Sequence, residues 1–421
     1  MSGNITYQKT ERRNQMISVG IDVSKGKSMV CILKPGGEVL EPPFEILHTM
    51  ESVSSLVRQI KEYDEEVKVV LENTGYYHWP IITTLVEEGV FVCVVNALRM
   101  KKFCSQNIRR AKTDRIDSIS IAQFGITYWS ELTQVLPSQD IYQELRLLAR
   151  QYYQETSMLI KARVNFSNLC DQAMPGIQSI LCDNKGNHKL TDFVAHYKHS
   201  ENILKMSETR FTSNYCKWAQ KKGYRNCEQT APRIYAAIQN GIPVLPNSLS
   251  TTIVMTEAIR VLHEIELSRK TILTQMQELA KTLPEYQTVL DMKCIGETLA
   301  PRLIAEIGDI RKYHNKHSLI AYAGIDAPPY QSGTFNATER HISKRGNRYL
   351  RKTGFEVMQS YIQHKPDDEP VYAFIEKKRN EGKCGKEAMI AGLNKFLRIY
   401  YGKVSEVYRN IDEQLTSSVT I

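Results

Sequence analysis

From Ile17 to Val23 apolar and polar residues alternate (ISVGIDV), the two-residue period of a strand with one face buried. Ser28–Lys34 reads as a second strand, and Pro35-Gly36-Gly37 folds the next stretch back as a hairpin. The period becomes helical over Met50–Tyr63, gives way to a β-branched run at Glu66–Glu72 (EVKVVLE), and is helical again over Tyr77–Glu88. Val90–Val95 reads as a further buried strand and Arg115–Gly125 as a helix. A hairpin followed by alternating strands and helices predicts a mixed sheet covered by helices, an α/β domain over residues 1–137.

Beyond it the pattern is almost wholly helical. Leu145, Leu147, Leu148, Tyr152 and Leu159 mark a long helix within residues 138–174, and IVMTEAIRVLHEIELSRKTILTQMQELAKTL marks another within 250–290. The two suit the arms of an antiparallel coiled coil, and equally two ordinary packed helices. Residues 175–249 between them are richer in polar residues, Gly and Asn, and read as a small helical insert without a motif. Residues 291–421 are mainly helical. Cys294-Ile-Gly296 introduces a helix through Leu303, a Gly/Pro/Ser loop runs from Tyr322 to Thr334, and another helix spans Asn347 to His364. The fold class expected is α/β plus mainly α.

A chain of 421 residues allows two or three domains, and 42% hydrophobic with 24% charged residues is the balance of a soluble globular protein. No apolar run approaches the roughly 20 residues that span a bilayer. Met1–Asn14 is polar, without the apolar centre of a signal peptide, so the expected location is the cytoplasm. The nine cysteines form no CxxC pair, which leaves packed, reduced thiols rather than a zinc knuckle. Cys216 and Cys227 with His196 and His199 match no common ligand spacing. A net charge of +9 admits a polyanionic partner. Arg109-Arg110 with Lys112, and Lys344-Arg345 with Arg348, Arg351 and Lys352, stand beside candidate catalytic residues, where phosphate would be met.

Four carboxylates are well placed for chemistry: Asp22 in the first strand, Glu72 at the end of the fourth, and Asp114 and Asp117 opening a helix three residues apart. Strand ends and helix starts along one edge of an open sheet converge on a crevice. Carboxylates gathered there repel one another, and a cation suited to all-oxygen ligands, Mg²⁺ or Mn²⁺, removes that penalty. Two such ions about 4 Å apart would hold a phosphodiester for in-line displacement. Each residue has a plainer reading alone. Asp114 after Thr113 is a common first-turn acid, Glu72 a strand-end charge, and only Asp22, inside an apolar strand, resists that reading.

Gly20-Ile-Asp22-Val-Ser-Lys25, Leu71-Glu72-Asn-Thr-Gly75 and Lys112-Thr-Asp114-Arg-Ile-Asp117 together resemble the three acidic motifs of the DEDD insertion-sequence transposases. These form the "IS one-ten" group, relatives of the Piv and MooV invertases. The resemblance implies a RuvC-like, RNase-H-type domain in which Asp22, Glu72, Asp114 and Asp117 hold Mg²⁺. It continues in Ala321-Tyr-Ala-Gly324, Tyr330-Gln-Ser332-Gly333 and Ile342-Ser-Lys344-Arg345-Gly346-Asn347, similar to the family's second domain. There a loop serine attacks the DNA phosphate, and Ser332 holds the matching place. Its hydroxyl needs a base or metal to take its proton, and no His–Asp partner is evident nearby. On turn chemistry alone Ser332 is a plain turn residue and Ser343 a rival; the resemblance selects Ser332.

Lys112, Lys344, Arg345, Asn347, Arg348 and Arg351 are the candidate nucleic-acid contacts, with Arg345 and Arg348 suited to bidentate grip on phosphate. Cys294-Ile-Gly296-Glu297 resembles a helix–hairpin–helix turn without its usual Pro-Gly lead-in, which leaves a simple helix start. The function expected is a DNA transposase or site-specific recombinase working through a phosphoserine. Its expected partners are DNA and a structured guide (the bridge RNA), in a homodimer or homotetramer without membrane contact. The competing readings are a metal-dependent nuclease using water and a non-enzymatic nucleic-acid-binding protein.

Overall fold

The computed structural model describes residues 16–73, 77–105, 113–135, 140–181, 188–328, 331–332, 335–336 and 341–419, with backbone alone at 140, 331–332, 335–336 and 418–419. The chain divides into two compact units, Met1–Ser138 and Gln139–Ile421.

In the first unit β1 (Met16–Val23), β2 (Lys27–Leu33), β3 (Val39–Leu47), β4 (Glu66–Glu72) and β5 (Phe91–Val95) form one sheet in the order β3-β2-β1-β4-β5. β2 runs antiparallel to β1 and β3, whereas β4 is parallel to β1 and to β5, so the sheet is mixed, as the alternation predicts. Its helices are α1 (Met50–Lys61), α2 (Trp79–Glu87), α3 (Ala97–Cys104) and α4 (Asp114–Thr127).

The strand period sorts β1 between two cores. Ile17, Val19, Ile21 and Val23 join Val69, Leu71 and Val92 under the apolar faces of α1 (Val53, Leu56, Val57, Ile60) and α2 (Ile81, Ile82, Leu85). The other side of the sheet carries Val70, Cys93 and Val95 against Ile121 and Phe124 of α4. One helix, α3, escapes the sequence reading. It is short and buries only Met100, which leaves almost no apolar period to detect; Asn96 caps it by accepting from Leu98 N at 2.8 Å.

The second unit opens with α5 (Asp140–Ala173), continues through α6 (Gln178–Leu181), α7 (Lys189–Tyr197), α8 (Ser200–Leu204), α9 (Glu208–Lys221) and α10 (Cys227–Asn240), and returns along α11 (Leu249–Lys281). α5 and α11 pack antiparallel: Arg163 pairs with Glu266 at 2.7 Å, Arg269 lies over the Tyr152 ring, and Met276 shares a core with Leu145 and Ala149. The short helices close a separate core around Phe193, Phe211, Tyr215 and Ile234.

The remainder comprises α12 (Tyr286–Leu290), α13 (Ala300–Ile307), α14 (Lys316–Ala323), β6 (Gln331–Ser332), β7 (Phe335–Asn336), α15 (Arg348–His364), α16 (Pro370–Asn380) and α17 (Gly385–Val419). Two details differ from the sequence reading. Ser332 sits on a two-residue strand paired with Phe335 rather than in a plain turn. The helix expected from Cys294 begins at Ala300, because Cys294 itself takes a positive φ of 64° that no helix accepts. Among the described residues no helix is long and apolar enough to cross a membrane.

α4 lies directly on β1. A Cβ on Gly20 would stand 2.3 Å from Ala122 N and 2.4 Å from Ser118 O, both backbone atoms that cannot yield separately. Gly20→Ala is therefore expected to lower stability by about 1–3 kcal/mol or more, read as a lower urea midpoint for the first unit; an unchanged midpoint would refute the contact.

Candidate catalytic site

The carboxylates of the first unit are positioned by strand register. Gly20 pairs with Val70 and Ile21 with Leu71, so one step on Asp22 stands level with Glu72 on the neighbouring parallel strand. Side chains two apart share a face. Ser18 and Gly20 meet α4, and Val70 meets it at Gly125, so Asp22 and Glu72 emerge on the α4 side, strands about 4.8 Å apart. Both are half-buried.

α4 runs opposite to β1, with Gly125 over Ser18 and Ser118 and Ala122 over Gly20. Its first turn accordingly comes toward Asp22. Thr113 caps that turn by accepting from Ile116 N at 3.3 Å, which fixes Asp114 as the first helical residue, exposed, and Asp117 one turn on, half-buried. Two neighbours register the gathering of charge. Burial pushes the Cys104 thiol up, Ser120 opposes, and Asp117 and Glu72 both push it further, so this thiol feels strand and helix carboxylates together. Lys27 is raised mainly by its hydrogen bond and charge pair with Glu45, with Asp114 adding to it.

Among the described residues no three or more His, Cys, Asp and Glu side chains stand as a ready group for a metal ion. The donor set suits a hard divalent cation in its chemistry, being carboxylate oxygens only, two on adjacent strand ends and two on one helical turn. Lys112 lies outside the described residues.

In the second unit the backbone around β6 and β7 is held by a clasp between Tyr322–Asp326 and Ser343–Asn347. Ser343 N donates to Asp326 O at 2.8 Å, Lys344 N to Gly324 O at 3.0 Å and Asn347 N to Tyr322 O at 2.7 Å. Ser343 Oγ donates to Asp326 Oδ1 at 2.6 Å and accepts from Arg345 N at 3.3 Å, which ties this hydroxyl into the clasp. Gly346 has no room for a side chain, since a Cβ would fall 2.3 Å from Tyr322 O. Lys344, Arg345 and Arg348 remain exposed at the clasp, Arg348 lying on Tyr349 and donating to its hydroxyl at 2.8 Å.

Asn347 and Arg351 face inward instead. Asn347 Oδ1 caps α15 by accepting from Tyr349 N and Leu350 N, and its Nδ2 donates to Glu306 Oε2 at 2.8 Å. Arg351 donates to Ala323 O at 2.9 Å. Glu306, fully buried, also pairs with Arg150 at 3.0 Å. Burial pushes its carboxyl up, against the pull of Arg150, Asn347, Arg146 and Arg302. Lys312 is exposed as a residue, and its ammonium lies over the rings of Tyr313 and Tyr322, near Arg146 at Gly308. Loss of water there, and then Arg146, push it down to about 7. Nothing in the sequence around Arg146, Arg150, Glu306 or Lys312 marks this node, because its members come from three separate elements. For Ser332 the structure gives the strand pairing alone.

A DEDD transposase model, described as "Transposase", matches residues 19–176, and the "Transposase IS116/IS110/IS902 family" model matches 286–373, together more than half the chain. A putative transposase, y4rJ, from Sinorhizobium fredii (strain NBRC 101917 / NGR234) is 32% identical over 111 residues. The match covers 26% of this chain and 28% of the relative's length. Solved structures of Thermus thermophilus RuvC, one "in complex with Holliday junction substrate", align with 28% of this chain and 98–100% of theirs, at 10–13% identity and a TM-score of 0.23. Both matched models describe one class of protein, a transposase. The chain belongs to the IS116/IS110/IS902 family of transposases.

The low Lys312 pKa has a definite sign. The folded chain releases this proton near pH 7 and the unfolded chain only near 10.5, so between those values the unfolded state binds more protons and stability rises with pH. Lys312→Met removes that contribution. Its stability advantage over wild type, taken from urea midpoints at pH 7, 8 and 9, is expected to shrink as pH rises; a constant difference would refute the low value.

Proposed function

We propose that the protein cuts and rejoins DNA strands as the transposase or site-specific recombinase of an insertion sequence. The observation that carries this reading is the register of β1 with β4, which sets Asp22 level with Glu72 on the face approached by Asp114 and Asp117. These four residues would hold Mg²⁺ or Mn²⁺. When bound, the ion supplies charge neutralisation at the phosphodiester and lowers the pKa of an attacking hydroxyl.

Ser332 is the proposed nucleophile. Its Oγ forms a bond to phosphorus as the bond from phosphorus to the departing sugar oxygen breaks, and its proton leaves to a neighbouring base. The phosphoserine conserves the phosphoester bond, so a second sugar hydroxyl can displace the serine and rejoin strands without ATP. Support comes from the family match, which spans Ser332 at residues 286–373, and from the clasp that anchors its hairpin. Exposed Lys344, Arg345 and Arg348 suit phosphate at that hairpin. Target choice is assigned to a structured guide RNA, with the protein working as a homodimer or homotetramer on element ends and target DNA.

The test is covalent trapping. Protein, Mg²⁺, cognate guide RNA and nicked element-end DNA are denatured and resolved for a protein–DNA adduct. Ser332→Ala and Asp22→Asn are each expected to lower the adduct by at least about 10²–10³-fold. Cleavage that survives Ser332→Ala without an adduct would replace the serine by water.

The metal assignment has its own readout. Mg²⁺ or Mn²⁺ at 100 times its Kd is expected to stabilise wild type by about 2.7 kcal/mol and to leave Asp22→Asn/Glu72→Gln unshifted in a thermal melt. Equal shifts in both would place the ion elsewhere.

A further inference from the structure

Residues 175–249 hold seven lysines and three arginines against two aspartates and three glutamates, so this stretch supplies +5 of the chain's +9. Most of it lies between the two segments that the family models match.

Helix α9 sorts its residues by face. Phe211, Tyr215 and Ala219 are buried in the insert's core, while Arg210, Asn214, Lys217 and Lys221 are exposed. At about 100° per residue those four positions fall within about 60° of one another, a stripe about 16 Å long. The one acid of α9, Glu208, stands about 150° round the helix from it. Arg210, Lys217 and Lys221 enter none of the ion pairs among the described residues, whereas adjacent Lys222 pairs with Asp192 at 3.2 Å. Asn214, the neutral member, donates to Met206 Sδ and is engaged within the fold. The stripe thus presents cations alone, in a straight row.

The surroundings narrow the partner. The aromatic residues of the insert are turned inward: Phe193, Tyr197, Phe211 and Tyr215 are buried, and Trp218 and Tyr224 pack on them. No exposed aromatic platform for unstacked bases is displayed among the described residues of the insert, which argues against a single strand. Double-stranded RNA is read largely through its 2′-hydroxyls by polar groups across the minor groove, and the stripe offers one neutral polar side chain, Asn214, against three cations. A row of unpaired cations suits a phosphate backbone with its bases stacked away.

We propose that the Arg210–Lys217–Lys221 face of α9 is a sequence-independent binding surface for duplex DNA. It acts through phosphate neutralisation and is separate from the carboxylates and Ser332.

The experiment measures binding of the full-length protein to a fluorescent 30-base-pair duplex of arbitrary sequence across a NaCl series. Wild type is compared with Arg210→Gln/Lys217→Gln/Lys221→Gln. A control, Lys383→Gln/Lys403→Gln/Arg409→Gln, loses the same charge from exposed positions near and along α17. The α9 variant is expected to bind on the order of 10²-fold more weakly at 0.1 M salt, with the slope of log K against log [NaCl] smaller in magnitude by about 3. The control should follow wild type, and all three should share one far-UV circular dichroism spectrum and melting temperature. Equal losses in both variants would reduce the effect to net charge and overturn the proposal. Preferential displacement of the wild-type complex by double-stranded RNA or single-stranded DNA would overturn the assignment to duplex DNA. Because the readout is binding, it stands or falls independently of whether Asp22 or Ser332 performs chemistry.

Discussion

At Gly20 the backbone of α4 comes so near to β1 that one methyl group would overlap Ser118 O and Ala122 N. This close approach fixes the height of the helix along the strand, and the rest of the acidic edge depends on it. With Gly125 seated over Ser18, two residues further back on β1, the helix has only one way to run, and its first turn arrives at the end of the strand where Asp22 emerges. The parallel register with β4 brings Glu72 alongside. Small residues at 18 and 20 are thus the steric condition for that helix to start on the side of the sheet where Asp22 emerges.

The second unit solves a different problem, burying charge. Glu306 lies wholly inside and is held by Arg150, by the Asn347 amide and by the field of Arg146 and Arg302. Removing one partner of such a buried pair leaves an uncompensated charge, which is far costlier than replacing the whole group by apolar residues. The arrangement therefore gives specificity of position. It ties α5, α13 and the start of α15 to a common point, and through Asn347 it also sets the end of the basic segment that clasps the β6–β7 hairpin. The exposed cations of that segment thus stand on a hydrogen-bonded base.

Most of the insert lies between the two matched segments. α5 and α11 carry the insert as a separate small core, closed by Phe193, Phe211, Tyr215 and Ile234, so its outer surface is free to vary without disturbing either end. Charge collects there, and α9 displays it in one direction because its opposite face is fixed by burial. Net positive charge in the whole chain is therefore unevenly shared.

The period of hydrophobic residues was enough to read β1, β2, β4, β5 and the two long helices, since each buries one regular face. It missed α3, which buries only Met100, and it placed the start of α13 too early at Cys294, whose positive φ no propensity reveals. The acids themselves were legible: Asp22 interrupts an apolar strand, and Asp114 and Asp117 share a capped first turn. The element that covers them was not, because alternation assigns a face and nothing more. Only packing could decide that α4 lies across β1 at Gly20, that Asn347 serves as a cap and a partner to Glu306, and that Lys312 loses its water over two tyrosine rings. Those outcomes rest on contacts between residues distant in the chain, where local pattern carries no information about distance or solvent.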